Sequence, residues 1–336
     1  MKKYKFILLI FTSVLSLNIN AQDPHFSQYF ASPLSLNPAM TGYFYGEHRL
    51  TTNFRNQWWS AGAPFMTNTI SFDTKLNQSG INEGDTWAVG VMALYDQSLG
   101  GGYKNINASA SMAYSKALGA DGNGSISAGF QASYGTRVLD FSKLDFAAQF
   151  NGSGFDPHLP SNETFGNSRV SYFDINTGLL YTYRSEKVEF YIGGSLYHLT
   201  TPDISFLRDG DAKLPMRYTI HTGYSFDLGE TGNELFIGGL YMEQNGANEQ
   251  SIGVAYGHYL TEDATIYAGG WYRINDAIMP YVGLNYTNFQ FGFSYDVVNS
   301  SLKRVNPKNG SFELSLNYTI KKETNHYNNY KSRRIF

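Results

Sequence analysis

The chain has 336 residues, a net charge of −3, no cysteine, 26 Tyr, 24 Phe and 34 Gly. That charge gives no electrostatic basis for holding nucleic acid, and the missing thiols exclude both a disulfide framework and a cysteine-linked lipoprotein anchor. A mean hydropathy of −0.32 suits a membrane protein only if alternate residues, rather than whole segments, meet lipid.

Lys2, Lys3 and Lys5 precede an apolar stretch from Phe6 to about Leu17, and Ile19-Asn20-Ala21 supplies a cleavage site. This is the layout of a secretory signal peptide over 1–21, too short for a comfortable transmembrane helix, with the mature chain expected to begin near Gln22. The next segment, 22–47, is amphipathic at neither period. It runs Gln22-Asp23-Pro24-His25-Phe26-Ser27-Gln28-Tyr29 and on to Asn37-Pro38-Ala39-Met40-Thr41-Gly42. Pro33 and Pro38 rule out a long helix and disfavour a paired strand, while Gly42 suits a turn into the first strand. Such a segment must fold against something else, most simply the lumen or the periplasmic rim of a barrel.

Segments with a two-residue period occupy about 48–57, 66–76, 85–97, 102–118, 124–140, 169–183, 187–200, 215–228, 233–242, 248–260, 264–273, 277–286, 288–299 and 310–321. That makes about fourteen strands, an even number as bacterial outer-membrane barrels require. In the first, Leu50, Thr52 and Phe54 are expected to face lipid, which turns Arg49, Thr51, Asn53 and Arg55 inward. In the second, Ile70, Phe72 and Leu76 face lipid, and Ser71, Asp73 and Lys75 point inward. Arg49 and Arg55 are thus expected near Asp73, either as a bracing salt-bridge network or as a dock for a peptide or plug.

The last two strands show the cleanest alternation. Phe289, Phe291, Phe293, Tyr295 and Val297 oppose Gln290, Gly292, Ser294 and Asp296, and Phe312, Leu314, Leu316, Tyr318 and Ile320 oppose Glu313, Ser315, Asn317 and Thr319. Pattern alone does not separate a soluble sandwich from a membrane barrel; the signal and the loop lengths do. Long connections at 141–168, 201–214 and 298–309 fall on one side, and short ones at 184–186, 229–232, 261–263 and 287 on the other. A barrel with longer outer loops and short periplasmic turns sorts them in this way. The expected organisation is a signal peptide (1–21), a plug-like lumenal or periplasmic segment (22–47), a transmembrane antiparallel β-barrel (48–321) and a basic periplasmic tail (322–336), all-β overall, with both termini periplasmic. The tail reads as either disordered or a strap for an acidic partner, and Phe336 as an alternative end signal for barrel insertion.

No catalytic constellation stands out. His25, His48, His158, His198, His221, His258 and His326 show no paired metal spacing, and Asp209-Gly210-Asp211 lacks the later ligands of a calcium loop. Phosphate loops and Gly-x-Ser-x-Gly elbows are absent from the sequence. A non-enzymatic chain with no metal or cofactor is expected, although a barrel-embedded hydrolase with its triad on separate strands would leave no local motif.

The opening segment, Arg55-Asn56-Gln57-Trp58 in the first strand, Ser71-Phe72-Asp73 in the second and the closing Ser311-Phe312-Glu313-Leu314-Ser315-Leu316-Asn317-Tyr318 together resemble the PorP/SprF family, outer-membrane proteins of the Bacteroidota type IX secretion and gliding machinery. The resemblance implies a barrel that helps to secrete, and to tether at the cell surface, adhesin-like substrates with a type IX C-terminal signal domain. It also implies contact with periplasmic components of the machine. The residues it singles out, as partner or plug contacts, are Phe26, Gln28, Tyr29, Asn37 and Pro38 with the lumenal Arg49, Arg55, Asn56 and Asp73. The rival expectation is an outer-membrane channel for a small solute, gated by the N-terminal segment.

Overall fold

Alternating residues become fourteen antiparallel strands. They are β1 (His48–Gln57), β2 (Phe65–Lys75), β3 (Thr86–Ser98), β4 (Tyr103–Leu118), β5 (Gly124–Leu139), β6 (Arg169–Arg184), β7 (Val188–Tyr197), β8 (Arg217–Asp227), β9 (Glu234–Gln244), β10 (Ala247–Thr261), β11 (Ala264–Arg273), β12 (Ala277–Tyr286), β13 (Phe289–Val298) and β14 (Gly310–Ile320). The computed structural model describes residues 23–59, 63–76, 84–119, 123–162, 166–207, 210–229, 232–300 and 310–320. The expected signal peptide, the basic tail and Asp209 lie outside the described residues.

Each strand pairs with its neighbours in sequence, and β14 returns to β1 in a register running from His48 opposite Ile320 to Gln57 opposite Ser311. Closure satisfies every strand edge, which a wall immersed in lipid requires. Strand bounds agree with the sequence reading to within a few residues. The largest difference is at 187–200, where β7 stops at Tyr197 because His198 and Thr201 take positive φ values of 62° and 40° that break the extended run.

The outward row is apolar all the way round: Leu50, Ile70, Val91, Phe130, Leu179, Ile220, Ile252, Val282, Phe293 and Leu314 are all exposed. On a soluble protein so continuous a band would be untenable. Two belts of exposed aromatic side chains bound it, with Tyr134, Phe173, Tyr218 and Tyr272 towards one mouth and Tyr183, Tyr224, Tyr286 and Phe289 towards the other. Rings with one apolar and one wet edge settle at the two membrane interfaces.

The long connections 140–168, 198–216 and 299–309 share one rim, together with short links such as the Asn245-Gly246 hairpin, whose two positive φ values fit a tight twisted turn. This rim is the long-loop mouth. The opposite rim, the short-turn mouth, carries mainly short turns, including 185–187, 262–263 and 287–288, and one longer link at 76–85.

Candidate functional site

The opening segment lies inside the barrel. Prolines shape it: Pro33 starts the four-residue helix α1 (Pro33–Leu36), and Pro38 starts a single 3-10 turn through Met40. A first helical position is where proline fits, since its missing N–H has no partner there in any case. Asn37 sits between the two turns and caps the second, its Oδ1 accepting from Ala39 N at 2.8 Å. Its Nδ2 donates to the Leu179 and Gly194 carbonyls at 3.0 and 3.2 Å and to His221 Nε2 at 3.0 Å. One fully buried amide thereby links the segment to β6, β7 and β8. The wall makes room by omitting side chains: a Cβ on Gly178 would lie 1.9 Å from Asn37 Oδ1, and one on Gly129 would lie 2.2 Å from Ala39 N.

The lumen is not uniformly polar. Phe30 stacks on Trp271 with centroids 4.8 Å apart and meets Tyr281 and Phe236 edge-on at 5.6 and 5.9 Å. Tyr29, Leu36 and Met40 join this core with the inward-facing Leu180, Tyr191, Leu240, Tyr267 and Met279. Each such aromatic pair adds about 0.5–1.5 kcal/mol beyond area burial. One half of the wall thus holds the segment as a soluble protein holds a core helix.

Charge fixes the rest. Arg55 pairs with Asp296 at 3.0 Å and with Glu313, and Arg273 reaches Asp296 and Glu249, both at 3.3 Å. Into this cluster the segment inserts Ser27, whose hydroxyl donates to Asp296 at 2.8 Å, and the backbone N–H of Gln28, which donates to Glu313 at 2.8 Å. The Gln28 amide donates to Ser294 and accepts from Ser315, and His25 meets Glu249 at 2.6 Å.

A second cluster holds Asp23. Its backbone N–H donates to Gln244 at 2.7 Å, and its carboxylate contacts His198, Arg217 at 3.5 Å and Arg137 at 4.0 Å. The other nitrogen of His198 lies 2.7 Å from Asp174. Burial pushes the Asp23 carboxyl up, but His198, Arg217 and Arg137 outweigh it and hold it well below the usual range. For His198, burial pulls the ring down, and the carboxylates of Asp23 and Asp174 more than reverse this.

A third cluster lies at the short-turn mouth. Arg49 grips Asp73 through Nε and Nη2 at 2.9 and 2.7 Å and also donates to the Tyr43 and Met40 carbonyls. Gly42 N donates to Asp73 at 2.8 Å from a backbone with φ of 78°, the turn foreseen there. Tyr43 and Tyr45 donate to Glu189, which pairs with Arg184.

Gln244, His198 and Arg217 all lie at the long-loop mouth, whereas Glu47 N donates to the Ile320 carbonyl at the other. The segment therefore runs the length of the lumen. The described chain begins at one mouth and ends at the other, not with both ends on one rim as expected, because this stretch crosses the barrel before β1 starts.

Phe26, Gln28, Tyr29, Asn37, Pro38, Arg49, Arg55 and Asp73 are all buried, brought together around this path. Two expectations need correcting. Arg55 does not approach Asp73: it stands opposite Thr67 on β2, six residues beyond the Arg49–Asp73 pair, and opposite Glu313 on β14. Asn56 is not lumenal, because alternation from Arg55 turns it outward in register with Phe312 and Met66. The sequence reading did not single out Asp23, His198, Arg273, Asp296 and Glu313. A signal for the last two was present, since both stand on the polar rows of the two most regular strands.

The family described as type IX secretion system membrane protein PorP/SprF matches residues 18–318. The chain belongs to the PorP/SprF family. Its barrel is similar to the TodX deltaS2S3 mutant monoaromatic hydrocarbon channel at 12% identity, covering 86% of this chain and 94% of that one with a TM-score of 0.51. It is also similar to a Pseudomonas aeruginosa FadL homologue at 14% identity, covering 84% and 92% with a TM-score of 0.50. At such identities the likeness concerns the fold alone. No curated protein matches the sequence. This PorP/SprF protein is thus an outer-membrane β-barrel of a secretion system, its lumen crossed by its own amino-terminal segment.

Proposed function

We propose that the barrel is a non-enzymatic partner subunit of the type IX machinery that assists secretion and surface anchoring of adhesin-like substrates bearing a C-terminal signal domain. The observation behind this reading, beside family membership, is the occupied lumen: buried ion pairs and an aromatic core hold residues 23–46 across it. A barrel filled in this way is suited to presenting its rims and loops to partners, and poorly suited to passing a chain or a solute through its centre. In this reading the long-loop mouth faces outward to the substrate and the short-turn mouth faces periplasmic components.

The test is an affinity pull-down of the tagged protein from solubilised outer membranes of its native host, followed by mass spectrometry. Co-recovery of a large surface protein with a type IX C-terminal domain is expected. A barrel that comes out alone and carries a solute into liposomes overturns the proposal in favour of a channel.

A further inference from the structure

The geometry points to an anion-binding cavity at the short-turn mouth that accepts a carboxylate carried on a peptide side chain. The site is a property of the barrel and does not rest on the secretion reading. Beneath the Pro38–Met40 turn, short side chains of β3, β4 and β5, among them Ala88, Ala113, Ser115 and Ser127, line the wall, and a cavity of about 190 Å³ remains. That is room for about six waters at ~30 Å³ each, or for one acidic side chain. Gly84 and Asn123 in the rim turns mark its entrance.

Two cations flank the space, Lys75 at the end of β2 and Arg184 at the end of β6, and no Asp or Glu lines it among the described residues. Lys75 donates to the Phe44 carbonyl at 2.6 Å and lies over the Phe44 ring. The nearby ion pairs, Arg49–Asp73 and Arg184–Glu189, leave it without a carboxylate partner among the described residues. Asp73 and Glu189 are each held further, by Gly42 N and by the hydroxyls of Tyr43 and Tyr45. Arg184 stacks on Tyr43 and Tyr45, and its buried Nη2 has no hydrogen-bond partner. Among the described residues no carboxylate stands within ion-pair distance of the Lys75 ammonium, although Asp73 and Glu47 act on it from further off, and beside a pocket lined by hydroxyls it favours a guest with one negative charge.

The lining also selects the stem of that guest. Alanine methyls alternate with the hydroxyls of Thr86, Ser115 and Ser127, so methylenes leading to a carboxylate find apolar contact that a bare inorganic anion would not use. The chain's own tail has the wrong sign, with Lys321, Lys322, Lys331, Arg333 and Arg334 against Glu323. The proposed guest is accordingly not this tail but an acidic segment of another protein reaching in from the short-turn side.

Equilibrium binding to the purified full-length barrel in detergent tests this with three probes: a blocked tripeptide with a central Glu, its Gln counterpart and inorganic phosphate. The Glu peptide is expected to saturate one site, with the other two at least about ten-fold weaker. Lys75→Gln should weaken the Glu peptide by a similar factor, and Ser115→Trp, which fills the cavity, should abolish binding while the heat-modifiable band of the folded barrel is kept. Equal binding of the Gln peptide overturns the proposal. So does phosphate binding as tightly as the Glu peptide, or an affinity that Lys75→Gln leaves unchanged.

Discussion

Arg55 on β1 donates to Asp296 on β13 at 3.0 Å, reaching past β14 to join residues 241 positions apart in the chain. Glu313 on the intervening strand completes the cluster, so a single guanidinium spans the seam where the barrel closes. Losing that guanidinium would leave two carboxylates buried with Arg273 as their nearest remaining counter-charge.

Arg55→Met is accordingly expected to destabilise the barrel by about 3–5 kcal/mol, the usual cost of removing one partner of a buried pair. The temperature at which the folded band converts to the unfolded one on gels, compared with wild type, measures this. An unchanged temperature would show that Arg273 alone neutralises the cluster.

Gly178→Val should push the segment off the wall, since even the first added carbon would stand 1.9 Å from Asn37 Oδ1. Overpacking of this kind costs about 1–3 kcal/mol. In planar bilayers the wild type should be nearly silent, whereas Gly178→Val and a deletion of residues 23–44 should conduct.

The Asp23–His198 latch should depend on pH from both sides. Asp23 has its carboxyl lowered from 3.8, so its contribution is present above that value and fades as acid titrates the folded group. His198 is raised from 6.5, so its contribution is complete below 6.5 and fades as pH rises through the folded value. The latch is therefore tightest between about pH 4 and pH 6.5 and loosens towards alkaline pH. Deuterium exchange at the backbone amide of His25, corrected for intrinsic rates, should be slower at pH 6 than at pH 8. A flat profile would dissociate His198 from the latch.

Orientation can be read with single cysteines, since the chain has none of its own. In intact cells Ser153→Cys on the long-loop side should react with an impermeant maleimide, while Glu186→Cys at the short-turn mouth should react only after the outer membrane is opened. The reverse pattern would invert the barrel.

The strands were legible because lipid outside and a packed interior inside impose a two-residue period on every one of them. Loop lengths then separated a barrel from a sandwich. The interior was harder to read. Phe236, Trp271 and Tyr281 occupy inward positions that alternation assigns to polar groups, and only the buried path of Phe30 explains why rings are tolerated there. Arg55 meets Glu313 rather than Asp73, because neighbourhood in sequence suggests β2 while closure supplies β14. Asp23 and His198 meet across 175 positions, a contact that no local spacing announces.

Arg55 and Glu313 face each other across the β1–β14 seam and both grip Ser27. Zipping the first strand to the last and seating the amino-terminal segment thus draw on the same side chains. A barrel that shuts with its interior empty would keep the Arg55–Glu313 and Arg55–Asp296 pairs but lose the contacts that Ser27 adds to them, so the seated segment reinforces the very seam at which the cylinder closes.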